Sequence, residues 1–154
     1  MQNLLKSKTR LAFIQYIFLS LSTDQDLNKI KDDFDNYFHN LVVSSIEENK
    51  ENKIQYNKNF FNNLTDNYII FLKKNDIKSL INSFINFDRN FEKWNIINQS
   101  IILSIITELS ITPKDKIKIT LNDYLNIAKS FITLKELKMI NAIADKFLNE
   151  KKYI

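Results

Sequence analysis

The chain has 154 residues, 44% of them hydrophobic and 26% charged, with a formal net charge of +4. That is enough apolar material for one substantial core and too little length for two comfortable domains, so a single helical domain over residues 1–154 is expected. No cysteine means no disulfide framework or thiolate metal site, the lone His39 leaves no imidazole set for a metal, and the absence of glycine excludes Gly-rich loops that cradle phosphates.

Apolar residues recur at intervals of three and four, while a single proline and no glycine leave little of the turn chemistry that hairpins need. The spacing predicts an all-α chain with helices over Leu4–Leu21, Leu27–Glu48, Asn57–Lys73, Ile77–Phe87, Ile96–Ser110, Ile117–Phe131 and Lys135–Asn149. On the first helix, Lys6, Lys8 and Arg10 precede the apolar run Leu11–Leu21. No small-residue cleavage site follows, which argues for a helix and against a secretory leader. Lys8, Ala12, Gln15 and Leu19 fall along one stripe, and Leu4, Leu11, Ile14 and Phe18 along an adjoining one. Lysine and arginine neutralise phosphate and glutamine hydrogen-bonds sugar or base edges, so this helix is a candidate RNA surface. The competing reading is an ordinary buried helix, with Gln15 partnered in the core and its cations in solvent.

Thr23 or Asp24 is expected to cap the second helix, and Asn75 or Asp76 the fourth, because short side-chain oxygens accept the free N–H groups of a first turn. The polar segment Glu47–Lys58 reads as a solvated connector. Carboxylate pairs, Asp32 with Asp35 and Glu47 with Glu48 and Glu51, fall on charged faces or in that connector, and His39 has no nucleophile context. No catalytic residue, metal ligand or cofactor site is assigned. Trp94 and the twelve phenylalanines are expected in the core rather than as base-stacking platforms. The run Ile101–Ile106 is interrupted long before the roughly 20 apolar residues of a membrane span, so no membrane partner is expected. Pro113 separates the fifth helix from the sixth. Lys114, Lys116 and Lys118 then form a second basic cluster, which with the first makes a candidate for one surface.

Three stretches, SKTRLAFIQYIFLS, NQSIILSIITELSITPKDKIKITLNDYLNIAKSF and the segment with Lys138, Asn141 and Asp145, resemble the NusB family of bacterial transcription antitermination factors. SKTRLAFIQYIFLS is similar to the family's first helix in Arg10, Gln15 and Phe18. NQSIILSIITELSITPKDKIKITLNDYLNIAKSF is similar in Glu108, Leu109, Lys118, Asn122, Ala128, Lys129 and Phe131, with Asp123 in place of the usual glutamate. Lys138, Asn141 and Asp145 continue the pattern, whereas Asp24–Asn95 matches in helical pattern alone.

The resemblance implies about seven helices in two packed bundles. It further implies a cytoplasmic protein that pairs with NusE, a ribosomal protein, and recognises boxA, a single-stranded element of ribosomal RNA leaders. With RNA polymerase and other Nus factors the pair would suppress termination. RNA contact is expected at Lys6, Lys8, Arg10, Gln15, Lys138 and Met139, and the protein partner at Glu108, Lys118 and Lys135. A helical interaction module without RNA recognition, or an accessory domain of a ribosomal RNA methyltransferase, would keep the fold. The chain departs from the family pattern at Ile117, Ile132, Lys135, Met139 and Ala142, the last expected to leave a methyl group for the final helix to pack around. Asn122, Ala128 and Phe131 also have a purely structural reading, in which Asn122 caps or cross-links buried backbone, Ala128 permits close helix approach and Phe131 fills the core.

Overall fold

A computed structural model of the chain describes residues 1–36, 42–44, 51–53, 56–85 and 90–150. Among the described residues seven α-helices run in the order α1 (Asn3–Ser22), α2 (Leu27–Asn36), α3 (Lys58–Lys74), α4 (Ile77–Asn82), α5 (Ile96–Leu109), α6 (Ile117–Ala128) and α7 (Leu134–Glu150). Between α2 and α3, β1 (Val42–Ser44) pairs antiparallel with β2 (Glu51–Lys53), placing Val42 opposite Lys53.

The expected helix over Leu27–Glu48 is therefore corrected: its described part spans Leu27–Asn36, and the β-branched pair Val42 and Val43 lies in a strand. The expected connector over Glu47–Lys58 is corrected as well. Glu51–Lys53 is a strand, and Tyr56 is buried with its hydroxyl donating to the Phe34 carbonyl at 2.5 Å. Asn57 caps α3 by accepting from the Phe60 N–H at 2.8 Å. His39, Glu47, Glu48, Asn86 and Phe87 lie outside the described residues.

Helix α5 is the hub. Ile101, Ile102, Leu103, Ile105, Ile106 and Leu109 are all buried, as a helix apolar on every side must be. Its small polar residues are accommodated locally: the Ser100 and Ser104 hydroxyls donate to the carbonyls one turn back, Ile96 and Ser100, each at 2.7 Å. Against one side of α5, helices α1, α2 and α3 share an aromatic cluster of Phe13, Tyr16, Phe34, Phe61 and Tyr68. Against the other, α6 and α7 bury Tyr124, Ala128, Ile140, Ala144 and Phe147, the last edge-on to Phe84 after α4. Helix α1 packs most extensively on α5 and also touches α6, so it belongs to both groups. Trp94 is buried beside Phe91, as expected.

Capping explains most boundaries. Asp76 caps α4 through the Ser79 N–H, as the sequence suggests, but α2 is capped by Asp26 rather than Thr23 or Asp24: its carboxylate accepts from the Asn28 N–H at 3.3 Å. Thr23 instead closes α1, its backbone N–H and hydroxyl both donating to the Leu19 carbonyl.

Helix α6 stops at Ala128, three residues short of the expected Phe131, through donation from the Phe131 and Ile132 N–H groups to the Ala128 carbonyl. Its cap Lys129 stays right-handed at φ −54°. The early stop carries Phe131 off the buried stripe, leaving it 49% exposed rather than filling the core. Asn122 is likewise exposed, so it does not cross-link buried backbone, and exposed Ala142 gives α7 no methyl group to pack around.

The start of α7 is a capping box. The Glu136 N–H donates to Thr133 Oγ1 at 3.2 Å and the Thr133 N–H donates to Glu136 Oε1 at 3.0 Å, while the Asn98 amide of α5 donates to Glu136 Oε2. These bonds to the ionised form, the Thr133 N–H foremost and then Asn98, lower the Glu136 carboxyl to about 2 from an ordinary 4.5. A depressed carboxyl stabilises the fold fully above its unfolded value and loses that contribution as pH falls through its folded value. Unfolding free energy measured against pH is therefore expected to drop between about pH 4.5 and 2 in the native chain and to lose that component in Glu136→Gln.

Candidate nucleic-acid interface

Arg10, one of the expected RNA contacts, faces inward from α1 and is only 7% exposed. Its Nη2 donates to Glu108 Oε2 of α5 at 2.7 Å, and its Nη1 donates to Asp123 Oδ2 of α6 at 2.6 Å. Its Nε–H donates to both Glu108 oxygens, with Nε 3.0 Å from Oε1 and 3.2 Å from Oε2. The guanidinium also lies 5.4 Å from the Phe60 ring centre and 5.6 Å from that of Tyr124. Burial alone would lower its pKa, but hydrogen bonds and charge from Glu108, then Asp123, hold it raised.

Each acid also accepts from a second donor. Tyr124 Oη donates to Glu108 Oε1 at 2.7 Å, and Ser7 Oγ donates to Asp123 Oδ1 at 2.6 Å. Burial, then the Glu108 charge, pushes the Tyr124 hydroxyl well above the usual phenol range, so it remains a donor.

This geometry corrects the expectations for both ends of the cluster. Arg10 has too little free surface to hold a phosphate, and Glu108, buried between Arg10 and Tyr124, cannot reach a protein partner. The sequence hides the arrangement because the pair is separated by 98 positions.

The other expected residues are distributed over three helices. Lys8 and Gln15 are exposed on α1 and share one face with exposed Leu4 and Phe18 and half-buried Leu11. The two stripes expected on this helix are thus recombined. The core face runs instead through Thr9, Ala12, Phe13, Tyr16 and Ile17, with Ile14 also buried. Lys6 is half-buried and lines a cleft with Arg10 and Glu108. On α7, Lys135 and Lys138 are exposed, whereas Met139 is half-buried against the core; Lys118 is exposed on α6.

Residues that the sequence reading did not assign to a site complete the cleft: Lys116, Ile119, Asn122 and Asn126 around α6, and Asn63 on α3. Lys116 had a signal in the second basic cluster, and Lys6 of the first cluster lines the same cleft. Among the described residues no group of three or more His, Cys, Asp or Glu side chains could hold a metal, and no helix is long and apolar enough to cross a membrane. Removing Arg10 leaves two carboxylates without their cation, so Arg10→Met is expected to cost about 3–5 kcal/mol in urea unfolding. Lys8→Met, at an exposed position, should change stability by less than about 0.5 kcal/mol.

The chain is similar to known proteins along almost its whole length. A family model described as the NusB family matches residues 7–149. The transcription antitermination protein NusB of Rickettsia massiliae (strain Mtu5) is 25% identical over 147 residues, covering 94% of this chain and 92% of that protein. Its counterpart in Rickettsia bellii (strain OSU 85-389) is 26% identical over 147 residues, covering 96% and 92%. The solved structure of T. maritima NusB superposes with a TM-score of 0.66 at 20% identity, covering 96% of this chain and 95% of that one, a likeness of fold. With the family pattern running from the first helix through the last, the chain belongs to the NusB family.

Proposed function

We propose that this protein is a cytoplasmic transcription antitermination factor that binds boxA-type single-stranded RNA of ribosomal RNA leaders together with NusE. With RNA polymerase and other Nus factors, that pair prevents premature termination. The observation that carries the reading is the family match over residues 7–149, with relatives of nearly equal length named as antitermination proteins.

The α1 surface supports it chemically. Along the outer face of the helix, Lys8 offers a cation and Gln15 an amide among the apolar groups of Leu4, Leu11 and Phe18. Such a face suits phosphate neutralisation beside contacts to unstacked bases or to a protein. Lys138 on α7, together with Lys118 and Lys135, offers exposed charge for the same RNA or its protein partner. Since unpaired ammonium groups are costly to bury, these lysines remain available to ligands.

One observation favours a second reading, an interaction module without direct RNA recognition: the withdrawal of Arg10 into the core thins the basic face of α1. Binding of boxA RNA and a scrambled control, with and without NusE, separates the two. Antitermination predicts tighter, sequence-selective binding in the mixture, weakened about tenfold by Lys8→Glu or Lys138→Glu and falling with salt. NusE binding without selectivity for boxA would favour the interaction module.

A further inference from the structure

A cleft of about 570 Å³ opens between the N-terminal half of α1, the start of α3, the end of α5 and α6. The Arg10 cluster sets one cation against two carboxylates in its wall, leaving an excess of negative charge there. Lys6 and Lys116 also line the cleft, and neither has an ion-pair partner among the described residues. Asn122 and Asn126, one turn apart on α6, supply amides. Ile119, 63% exposed, and Ile111, 43% exposed, supply apolar surface.

We propose that this cleft takes one splayed-out nucleotide of single-stranded RNA, with its base against the Ile119 and Asn122 side and its phosphate held by Lys6 and Lys116. The volume lies within the roughly 300–1,000 Å³ of small-ligand sites and is suited to a nucleotide. Electrostatics fixes the direction of entry. Arg10 spends its donors on Glu108 and Asp123, whose charges repel phosphate, so the phosphate stays with the unpaired lysines.

An unstacked base needs apolar contact on its face and hydrogen bonds along its edge. The isoleucines provide the first and the asparagine amides the second. Each Asp123 oxygen already accepts one bond, from Ser7 or Arg10, and retains further acceptor capacity. The cleft therefore favours a base carrying an exocyclic amino group over uracil.

This inference rests on the RNA-binding reading above, and its test separates the two. Binding is measured for the full chain with NusE and boxA-type RNAs each made abasic at one position. One abasic position is expected to weaken wild-type binding about tenfold. Ile119→Trp, which fills the cleft from an exposed position, is expected to weaken intact RNA similarly and to make that abasic change neutral. Asn122→Ala should reduce the same positional penalty, and Lys116→Glu should weaken binding several-fold and flatten its salt dependence. Thermal melts are compared to check that each variant folds. Equal abasic profiles in wild type, Ile119→Trp and Asn122→Ala, with RNA still bound, would overturn the cleft while leaving RNA binding intact. No RNA binding by the wild type, with or without NusE, would overturn both.

Discussion

The ion cluster of Arg10, Glu108 and Asp123 is the constraint on which the rest of the molecule depends. It joins α1, α5 and α6, and a charge so nearly withdrawn from water is tolerable only when both carboxylates and their own donors are in place. The bridge offers little net energy over a well-packed apolar substitute. Its contribution is geometric: a guanidinium bonded to two acids and lying over Phe60 and Tyr124 fixes where α1 sits on α5 and α6. Since α1 belongs to both helical groups, fixing it aligns the aromatic cluster around Tyr16 with the aliphatic packing around Tyr124.

That commitment redistributes charge between core and surface. Arg10 becomes part of the scaffold, while Lys8 and Gln15 stay on the outer face of α1 and Lys6 and Lys116 line the cleft beside the cluster. A phosphate approaching α1 thus meets flexible ammonium groups outside and repulsion from carboxylates within. The same cluster that holds the helices together shapes the electrostatics of the neighbouring cleft.

Much of this organisation is legible in the sequence. Three- and four-residue spacing locates the helices, and the first-turn acceptor Asp76 marks the start of α4. The antitermination resemblance rests on stretches in α1, α5, α6 and α7, and the family match extends it through the middle of the chain. Periodicity fails where a local pattern is broken by pairing or by a turn: Val42 and Val43 read as helical but sit in a strand, and Phe131 follows the α6 stripe in sequence yet leaves it because the helix closes at Ala128. The site was less legible for the same reason. A basic residue in a basic cluster reads as surface, and only the tertiary approach of Glu108 and Asp123 turns Arg10 inward. Asn122 belongs to a recognisable motif, but its exposure beside the cleft depends on how α6 rolls against α1.

Whether Arg10 serves the fold while exposed lysines serve the ligand is read from the salt dependence of RNA binding. The comparison is between wild type and a folded Arg10→Met/Glu108→Gln double variant, which removes the buried cation together with one of its opposing charges. An unchanged slope of log affinity against log salt is expected, because a buried Arg10 neutralises no phosphate. A slope reduced by about one in the double variant would contradict it, showing that Arg10 contacts the RNA backbone.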